Sequence, residues 1–272
     1  MPDQKLMNSN PDRNNSKKKD SRHLIGTLFG RFYLQLAGIT LAIVFWWIGS
    51  LLLPEAFQGF SPPATVVAFS KMISTKPFLV SLVESMERIL GGLGIAIGLG
   101  IPIGIIVGYV RIANELTYTL FQFLRMISPI SWMPIAIIIL GVGSGSVYFL
   151  ISIAAVWPMI INTAHGVEKV PPEWIKVAQT LGGRGLTIIR RVILPAIIPN
   201  ILTGLRLALG VAWIVIVPAE MLGVSSGLGY MILNYRDVVD YASIMAVILV
   251  IGILGYGTDA IIKRLMRCFS WE

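Results

Sequence analysis

The chain has 272 residues, of which 55% are hydrophobic and only 13% are charged, and its formal net charge is +8. So little polar surface excludes a soluble globular protein and indicates a polytopic membrane protein. The basic residues cluster in the first 22 residues, in a central loop and after the last apolar segment. This distribution is typical of cytoplasmic segments and argues against a nucleic-acid-binding groove.

The first segment, residues 1–22, is polar and basic and has few large apolar side chains. It cannot bury enough surface to fold alone, so we predict a disordered cytoplasmic tail over 1–22 and a transmembrane domain over 23–272. The apolar run from Phe32 to Leu53 is long enough to cross a bilayer and too long for a typical signal-peptide core. It is predicted to be a membrane anchor with its amino end inside.

The second predicted span is rich in glycine and follows a short helix expected near 66–73. Before it becomes apolar, Glu84 and Arg88 stand four residues apart and are predicted to pair near the outer interface. Its glycines recur every four residues, at Gly100, Gly104 and Gly108, with Gly94 and Gly98 just before. This spacing predicts that another helix approaches closely along that face.

The third span is predicted to be irregular. A short inside turn over 111–115 leads into 116–127, which holds Arg125 and begins near the cytoplasmic surface. Pro129 and Pro134 then interrupt helical hydrogen bonding at membrane depth, which is tolerated where backbone lines a cavity or is covered by protein. A break that lines a cavity and a kinked packing helix both remain open.

The remaining spans are predicted over 146–165, 201–222 and 242–262, with an uncharged turn over 141–145 and a Gly- and Ser-rich connection over 223–237. The count is six spans with both termini inside. The charges agree with this topology, because the clear bases in outside segments are limited to Lys71, Lys76 and Arg236.

The central loop, about 166–199, is the most polar stretch between the apolar segments. Pro171 and Pro172 suit a helix start, because a first-turn proline loses no needed N–H. Four residues then recur at helical spacing, namely Trp174, Val177, Ala178 and Leu181. Gly182 and Gly183 are predicted to end this helix with a left-handed cap, and a second helical run begins near Leu186 and meets Pro195 and Pro199.

This loop resembles the cytoplasmic "EAA" loop of permease subunits of bacterial ABC importers. That pattern is Glu-Ala-Ala, three residues, Gly, nine residues and then Ile-x-Leu-Pro, and here Lys176 to Ala178, Gly182 and Val192 to Pro195 occupy those places. Lys for Glu and Val for Ala depart from it. The resemblance implies that the short helix docks in a cleft of the ATP-hydrolysing subunit, with these residues in the coupling loop: Pro172, Glu173, Lys176, Ala178, Gly182, Gly183, Leu194 and Pro195.

The resemblance extends over about 61–263. The stretches FLRMISPISWMPIAIIILGVG, AAVWPMIINTAHGVEKVPPEW and GLRLALGVAWIVIVPAEMLGVSSGLGY are similar to permeases of the nitrate, sulfonate, taurine and bicarbonate importer group. This similarity implies an all-α, six-helix type I importer permease in a bacterial inner membrane. It further implies a homodimer, two ATPase subunits that bind ATP and Mg, and an external binding protein delivering a small anion such as nitrate or nitrite, bicarbonate or an alkanesulfonate.

Two common catalytic motifs do not occur in the sequence. It contains no Gly-Lys dipeptide of a phosphate-binding loop and no His-Glu-x-x-His helix. We therefore expect neither an enzyme nor a cofactor or metal site on this chain. The alternative function is a self-sufficient channel or secondary transporter, and a membrane scaffold is a third possibility. The central loop favours the importer, because a channel has no need of a docking helix.

The candidates for the translocation path are hydroxyl, amide and indole donors, which can pass an anion without trapping it: Ser128, Ser131, Trp132, Trp157, Asn162 and Trp213, together with Glu220. Packing within the helix bundle is the alternative for each aromatic residue. An ionised Glu220 cannot attract an anion. We therefore interpret Glu220 as a structural partner for a base or for backbone N–H groups of the Gly-Ser stretch.

Overall fold

The computed structural model describes residues 33–52 and 54–269, and within them every regular element is helical. The predicted tail over 1–22 lies outside the described residues. The helices are α1 (Tyr33–Leu51), α2 (Pro62–Met72), α3 (Lys76–Tyr109), α4 (Arg111–Leu124), α5 (Met133–Leu140), α6 (Ser144–Glu168), α7 (Pro172–Thr180), α8 (Leu186–Gly223), α9 (Leu228–Asp237) and α10 (Tyr241–Phe269).

The chain divides into two compact units, one ending at Ala64 and the other beginning at Thr65. In the first unit, α1 is followed by a 3₁₀ helix over Glu55–Phe60, and the indole Nε1 of Trp46 donates a hydrogen bond to the carbonyl of Phe60 at 2.8 Å. In the second unit, the core lies where α3, α6 and α8 pack together, around fully buried residues such as Ile89, Leu150 and Ile216.

The number of spans agrees with the sequence prediction. Five helices are long and apolar enough to cross a bilayer, namely α1, α3, α6, α8 and α10. A sixth apolar segment consists of α4 and the stretch Pro129–Leu140, which meet at an angle of 88°. This angle is too large for a kinked packing helix, so the third segment is broken, and α4 and α5 run in different directions.

Close packing of α3 against α6 depends on small residues. A Cβ atom added to Gly100 would lie 2.5 Å from the Cβ of Met159, and one added to Gly104 would lie 2.6 Å from the Cβ of Thr163. The predicted approach along Gly100, Gly104 and Gly108 is therefore confirmed. It is wrong for Gly94 and Gly98, which have nothing within 4 Å of an added Cβ, because the contact row continues instead through Ala96 and Gly92 at four-residue spacing.

Two predicted boundaries near the ends of spans are wrong. The inside turn predicted over 111–115 is the first turn of α4, and the chain direction changes at Val110 alone, whose φ and ψ are −107° and 104°. The short helix predicted near 66–73 begins earlier, at Pro62, because consecutive prolines at 62 and 63 are tolerated in a first helical turn.

The fifth span is longer than predicted, because it is continuous with the second helix of the central loop. Between Leu186 and Leu194 the helix contains a π-helical turn, Ile189–Ile193, after which the N–H of Leu194 bonds the carbonyl of Ile189. Pro195 follows directly. Pro195 thus lies in the first turn of the α-helical segment that follows the π-helical turn. A proline in a first turn is tolerated because its missing N–H is not needed there, so the helix continues.

The Gly- and Ser-rich connection predicted over 223–237 lies between α8 and α10, and its larger part forms a short helix, α9. The first N–H groups of α9 find acceptors far away in the chain: Leu228 N donates to Ser85 Oγ, and Gly229 N donates to the Glu220 carboxylate, each at 2.8 Å. These caps come from α3 and α8, so local sequence pattern alone does not reveal this helix.

Candidate functional site: a loop helix and a cleft at membrane depth

The end of α7 has the geometry that its glycines predict. Gly182 has a φ of +84°, and its N–H donates to the carbonyl of Gln179 at 3.0 Å, while Gly183 N–H donates to the carbonyl of Ala178 at 2.8 Å. These two bonds form a Schellman motif, so the predicted left-handed cap is confirmed. A Cβ on Gly183 would lie 2.8 Å from the carbonyl oxygen of Ala178. The turn therefore requires glycine at 183 and, at 182, a residue that tolerates a positive φ.

One face of α7 packs inside the loop and the other is exposed. Ile175 and Ala178 pack against a small core that includes Ile188 and Ile193. The adjacent face exposes apolar side chains, with exposed fractions of 54% for Trp174, 59% for Val177 and 83% for Leu181. An uncovered apolar surface of this kind marks an interaction site.

A groove of about 800 Å³ runs beside this face and extends to the start of α8, where it is lined by Arg191, Pro195 and Pro199. Among the predicted coupling residues, Pro172 and Glu173 form the first turn of α7, and Lys176 is exposed on it. Leu194 follows the π-helical turn. The loop residues thus bring α7 and the beginning of α8 into one surface.

A cleft of about 490 Å³ lies between α6 and the break that separates α4 from α5. Three of the seven path candidates line it: Trp132, Trp157 and Asn162. The ring of Trp157 also contacts Phe121 of α4, with ring centroids 5.6 Å apart. The amide Nδ2 of Asn162 donates to the carbonyl of Pro158, the residue after Trp157 on α6, at 2.8 Å.

The other candidates lie elsewhere. Ser128 and Ser131 are exposed at the break but are not among the residues that line the cleft. Trp213 is nearly buried, and its indole Nε1 donates to Thr258 Oγ1 of α10 at 3.0 Å. Trp213 therefore packs between α8 and α10 and is held there by this hydrogen bond.

Glu220 belongs to a buried polar cluster at the α9 end of the molecule, formed with Ser85, Arg88 and Ser226. Its carboxylate accepts hydrogen bonds from Arg88 Nη1 and Ser85 Oγ, each at 2.8 Å, besides the one from Gly229 N. Arg88 also donates to the Ser226 carbonyl at 2.9 Å. These contacts correspond to the interpretation of Glu220 as a structural partner of a base and of backbone N–H groups.

The predicted pair of Glu84 and Arg88 is present at 3.3 Å, but the shorter contact of Arg88 is with Glu220. The two residues of that contact are 132 positions apart in the chain. Helical spacing reveals only the local pair.

A second cleft, of about 560 Å³, continues along α4 and α6 towards their Arg111 and Glu168 ends. Polar residues line it, including Asn114, Gln122, Arg125 and His165. At its end, Asn114 Nδ2 donates to the Glu168 carboxylate at 2.6 Å. Arg125 and Ile161 line both clefts, so the two clefts adjoin at these residues.

Arg125 is the functional candidate that the sequence reading placed in the third span without assigning it a role. An arginine inside an apolar segment is itself a signal, because charged residues within membrane spans are rare and usually functional. The position of the break relative to α6, which brings Arg125 into the cleft, comes only from the tertiary structure.

The sequence matches the family model of the binding-protein-dependent transport system inner membrane component over residues 100–270. It is 34% identical over 274 residues to the bicarbonate transport system permease protein of Synechococcus elongatus, covering 95% of each chain. It is 33% identical over 181 residues to the nitrate import permease protein of Leptolyngbya laminosa, covering 66% of this chain and 65% of that one.

Among solved structures, a chain of the MetNI methionine ABC transporter in an inward-facing conformation has the same fold. Its TM-score is 0.61 at 19% identity, and the match covers 72% of this chain and 99% of that chain. The chain described here therefore belongs to the family of binding-protein-dependent transport system inner membrane components, the permease subunits of ABC importers.

Proposed function

We propose that two copies of this chain form the path by which an ATP-driven importer carries a small oxyanion across the bacterial inner membrane. An external binding protein delivers the anion, and two separate ATPase subunits bind ATP and Mg. The exposed apolar face of α7, on a chain that belongs to an importer-permease family, carries this proposal.

The loop is suited to pass movement from a partner to the membrane segment. A partner protein can contact the exposed apolar side chains of α7, which are Trp174, Val177 and Leu181. On the same helix, Ala178 packs against the small core of the loop, which includes Ile188. From there α8 runs through to Gly223 without a break, a length of about 57 Å at 1.5 Å per residue. A displacement of α7 thus reaches the opposite end of the bundle along one helix.

The identity of the cargo rests on the relatives. Relatives over most of this chain are named for bicarbonate, nitrate and aliphatic sulfonate transport, and each of these is a small, singly charged oxyanion. A path that serves such ions needs donors of hydrogen bonds, which the cleft between α4 and α6 provides. We propose this class of anion for the chain.

The assembly follows from counting docking surfaces. One chain has one α7 loop, whereas a pair of ATPase subunits needs two, so a homodimer supplies the required number. The basic residues of the loop, including Lys169, Arg184 and Arg190, support a cytoplasmic position for it and for both termini by the bias of Lys and Arg towards the cytoplasm.

A reconstituted complex tests the function. The chain is co-expressed with its candidate ATPase, purified and placed in proteoliposomes with the binding protein outside and ATP inside. We expect uptake of radiolabelled bicarbonate or nitrate that requires both ATP and the binding protein, with a complex holding two copies of each membrane-associated subunit. Uptake by the chain alone, without ATP, would favour the channel or secondary transporter.

A further inference from the structure

We propose that Arg125 binds the transported anion within the membrane, at the point where the Trp-lined cleft passes into the polar cleft. This inference rests on the proposed function, since it concerns the class of cargo that the path accepts. The side chain of Arg125, directly after the C-terminal end of α4, would then help to determine which anions the path accepts.

The depth of Arg125 follows from the residues that share its clefts. It lines them with Trp157 and Ile161 of α6. At 1.5 Å per residue, these two lie about 11–17 Å from the Glu168 end of α6 and about 20–26 Å from its Ser144 end. The hydrocarbon core of a bilayer is about 30 Å thick, so the part of the clefts that these residues share with the exposed side chain of Arg125 falls within it.

A cation at this depth needs a counter-charge. Two other arginines in the spans have one: Arg88 pairs with Glu220 at 2.8 Å, and Arg206 pairs with Asp259 at 2.6 Å. The side chain of Arg125 makes no ion pair or hydrogen bond within the described part of the chain. Because an unpaired charge at membrane depth is costly, and such residues mark ion pathways, the counter-charge is assigned to the cargo.

The nearest carboxylate in the polar cleft does not serve this purpose. Glu168 is held at the far end by Asn114, at 2.6 Å, and faces His165 at 3.6 Å. Asn114 stands eleven positions before Arg125 in the chain, and Glu168 stands seven positions after Ile161, about two helical turns along α6.

Two indole groups share the Trp-lined cleft with Arg125. Trp132 and Trp157 line the same cleft, and an indole N–H only donates. Neither indole has an acceptor within the described residues, whereas the indole of Trp213 donates to Thr258 and that of Trp46 to Phe60. A guanidinium group with two free indole donors matches an oxyanion, because its planar fork binds two oxygens at once.

The test compares variants in the complete reconstituted importer. Arg125→Gln removes the charge and keeps an amide of similar reach, and Arg206→Gln is the matched control, an arginine of α8 that lines neither cleft. We expect Arg125→Gln to lower the uptake of radiolabelled bicarbonate or nitrate at least about tenfold, the size of one charge-assisted hydrogen bond, with ATPase association unchanged. The control should stay within about twofold of the parent.

Equal uptake by Arg125→Gln and the parent, or an equal loss in Arg206→Gln, overturns the assignment of Arg125 and leaves the importer function standing. Absence of anion uptake by the parent contradicts the proposed function itself. If Arg125→Gln does not assemble, Arg125→Lys decides: it keeps the charge but lacks the fork, so the KM for the anion should rise while the ATPase rate is kept. An unchanged KM in that variant overturns the assignment.

Discussion

The short helices at the two ends of the bundle are held in opposite ways. At one end, α9 begins inside a buried cluster of Ser85, Arg88 and Glu220, whose hydrogen bonds reach its first N–H groups. At the other end, α7 rests on a small apolar core and leaves its other apolar face exposed. The start of α9 is held by buried hydrogen bonds within the chain, whereas the exposed face of α7 can be covered only by a partner protein.

The difference shows where this protein places its stability and where it places its contacts. Buried charges fix a single arrangement, because separating them leaves an uncompensated charge in an apolar environment. Exposed apolar residues on a short, well-terminated helix add little to the stability of the chain but offer surface to another protein. Three substitutions test this contrast, in order of expected effect.

The largest effect is expected for Glu220→Ala. It removes the closer of the two carboxylates that pair with Arg88 and leaves this buried arginine with Glu84 alone, at 3.3 Å, since the side chains of Arg88 and Glu220 are only 5% and 1% exposed. Breaking such a pair costs about 3–5 kcal/mol, so the purified protein should lose its native state at a markedly lower temperature in a detergent melt. The control is Asp237→Ala at the same end, where the pair with Arg236 is exposed on both sides and is worth about 0–1 kcal/mol.

A second variant separates charge from packing at this site. Replacing both partners, Arg88→Met with Glu220→Leu, removes the uncompensated charge, so it should recover part of the stability that Glu220→Ala loses. Similar melting temperatures for Glu220→Ala and Asp237→Ala would contradict the claim that the buried Arg88–Glu220 pair stabilises the end of the bundle where α9 lies.

An intermediate effect is expected for Gly182→Val in the turn after α7. A β-branched residue at a φ of +84° is strained by roughly 1–2 kcal/mol, although an added Cβ there meets nothing within 4 Å. The turn should therefore shift while the spans stay folded, and co-purification of the ATPase and coupled transport should fall. Gly182→Asn is the control, because asparagine tolerates this conformation and should keep both. Full coupling in Gly182→Val would show that the turn geometry is dispensable.

The smallest effect on stability, combined with a large effect on association, is expected for Leu181→Asp. Leu181 is 83% exposed, so its replacement should change the free energy of unfolding by no more than about 0.5 kcal/mol. Placing a charge on the apolar face should weaken ATPase binding at least about tenfold, measured by titrating the ATPase onto the purified chain. The exposed neighbour Gln179, changed to serine, should bind as the parent does. Equal binding by both variants would place the docking surface elsewhere.

Local features were predicted well from the sequence where a single helix or turn decides them. The turn at Gly182 and Gly183 is an example, since both of its hydrogen bonds close within six residues of chain. The packing row of Gly100, Gly104 and Gly108 is another, because its four-residue spacing lies on one helix face. Gly94 and Gly98 were assigned to that row wrongly, since composition alone does not say which of several glycine faces meets a neighbour.

Features that need distant parts of the chain were missed. The helix α9 depends on acceptors from α3 and α8, and its own residues suggested a loop. Of the path candidates, Trp132, Trp157 and Asn162 share a cleft, whereas Trp213 packs against α10 through Thr258. All of these are polar or aromatic residues in apolar segments, so their sequence signals are alike.

The sequence by itself determined the membrane class, the order of the apolar segments and the loop with its glycine turn, because hydropathy and helical spacing are properties of neighbouring residues. Only the tertiary structure decided that Arg88 pairs with Glu220, and that Arg125 lines a cleft with Trp157 and has no ion-pair partner among the described residues. The physical reason is that the environment of a charge depends on which helices meet around it. The contacts between helices in this protein depend on the packing of α3, α6 and α8 and on the 88° break before α5.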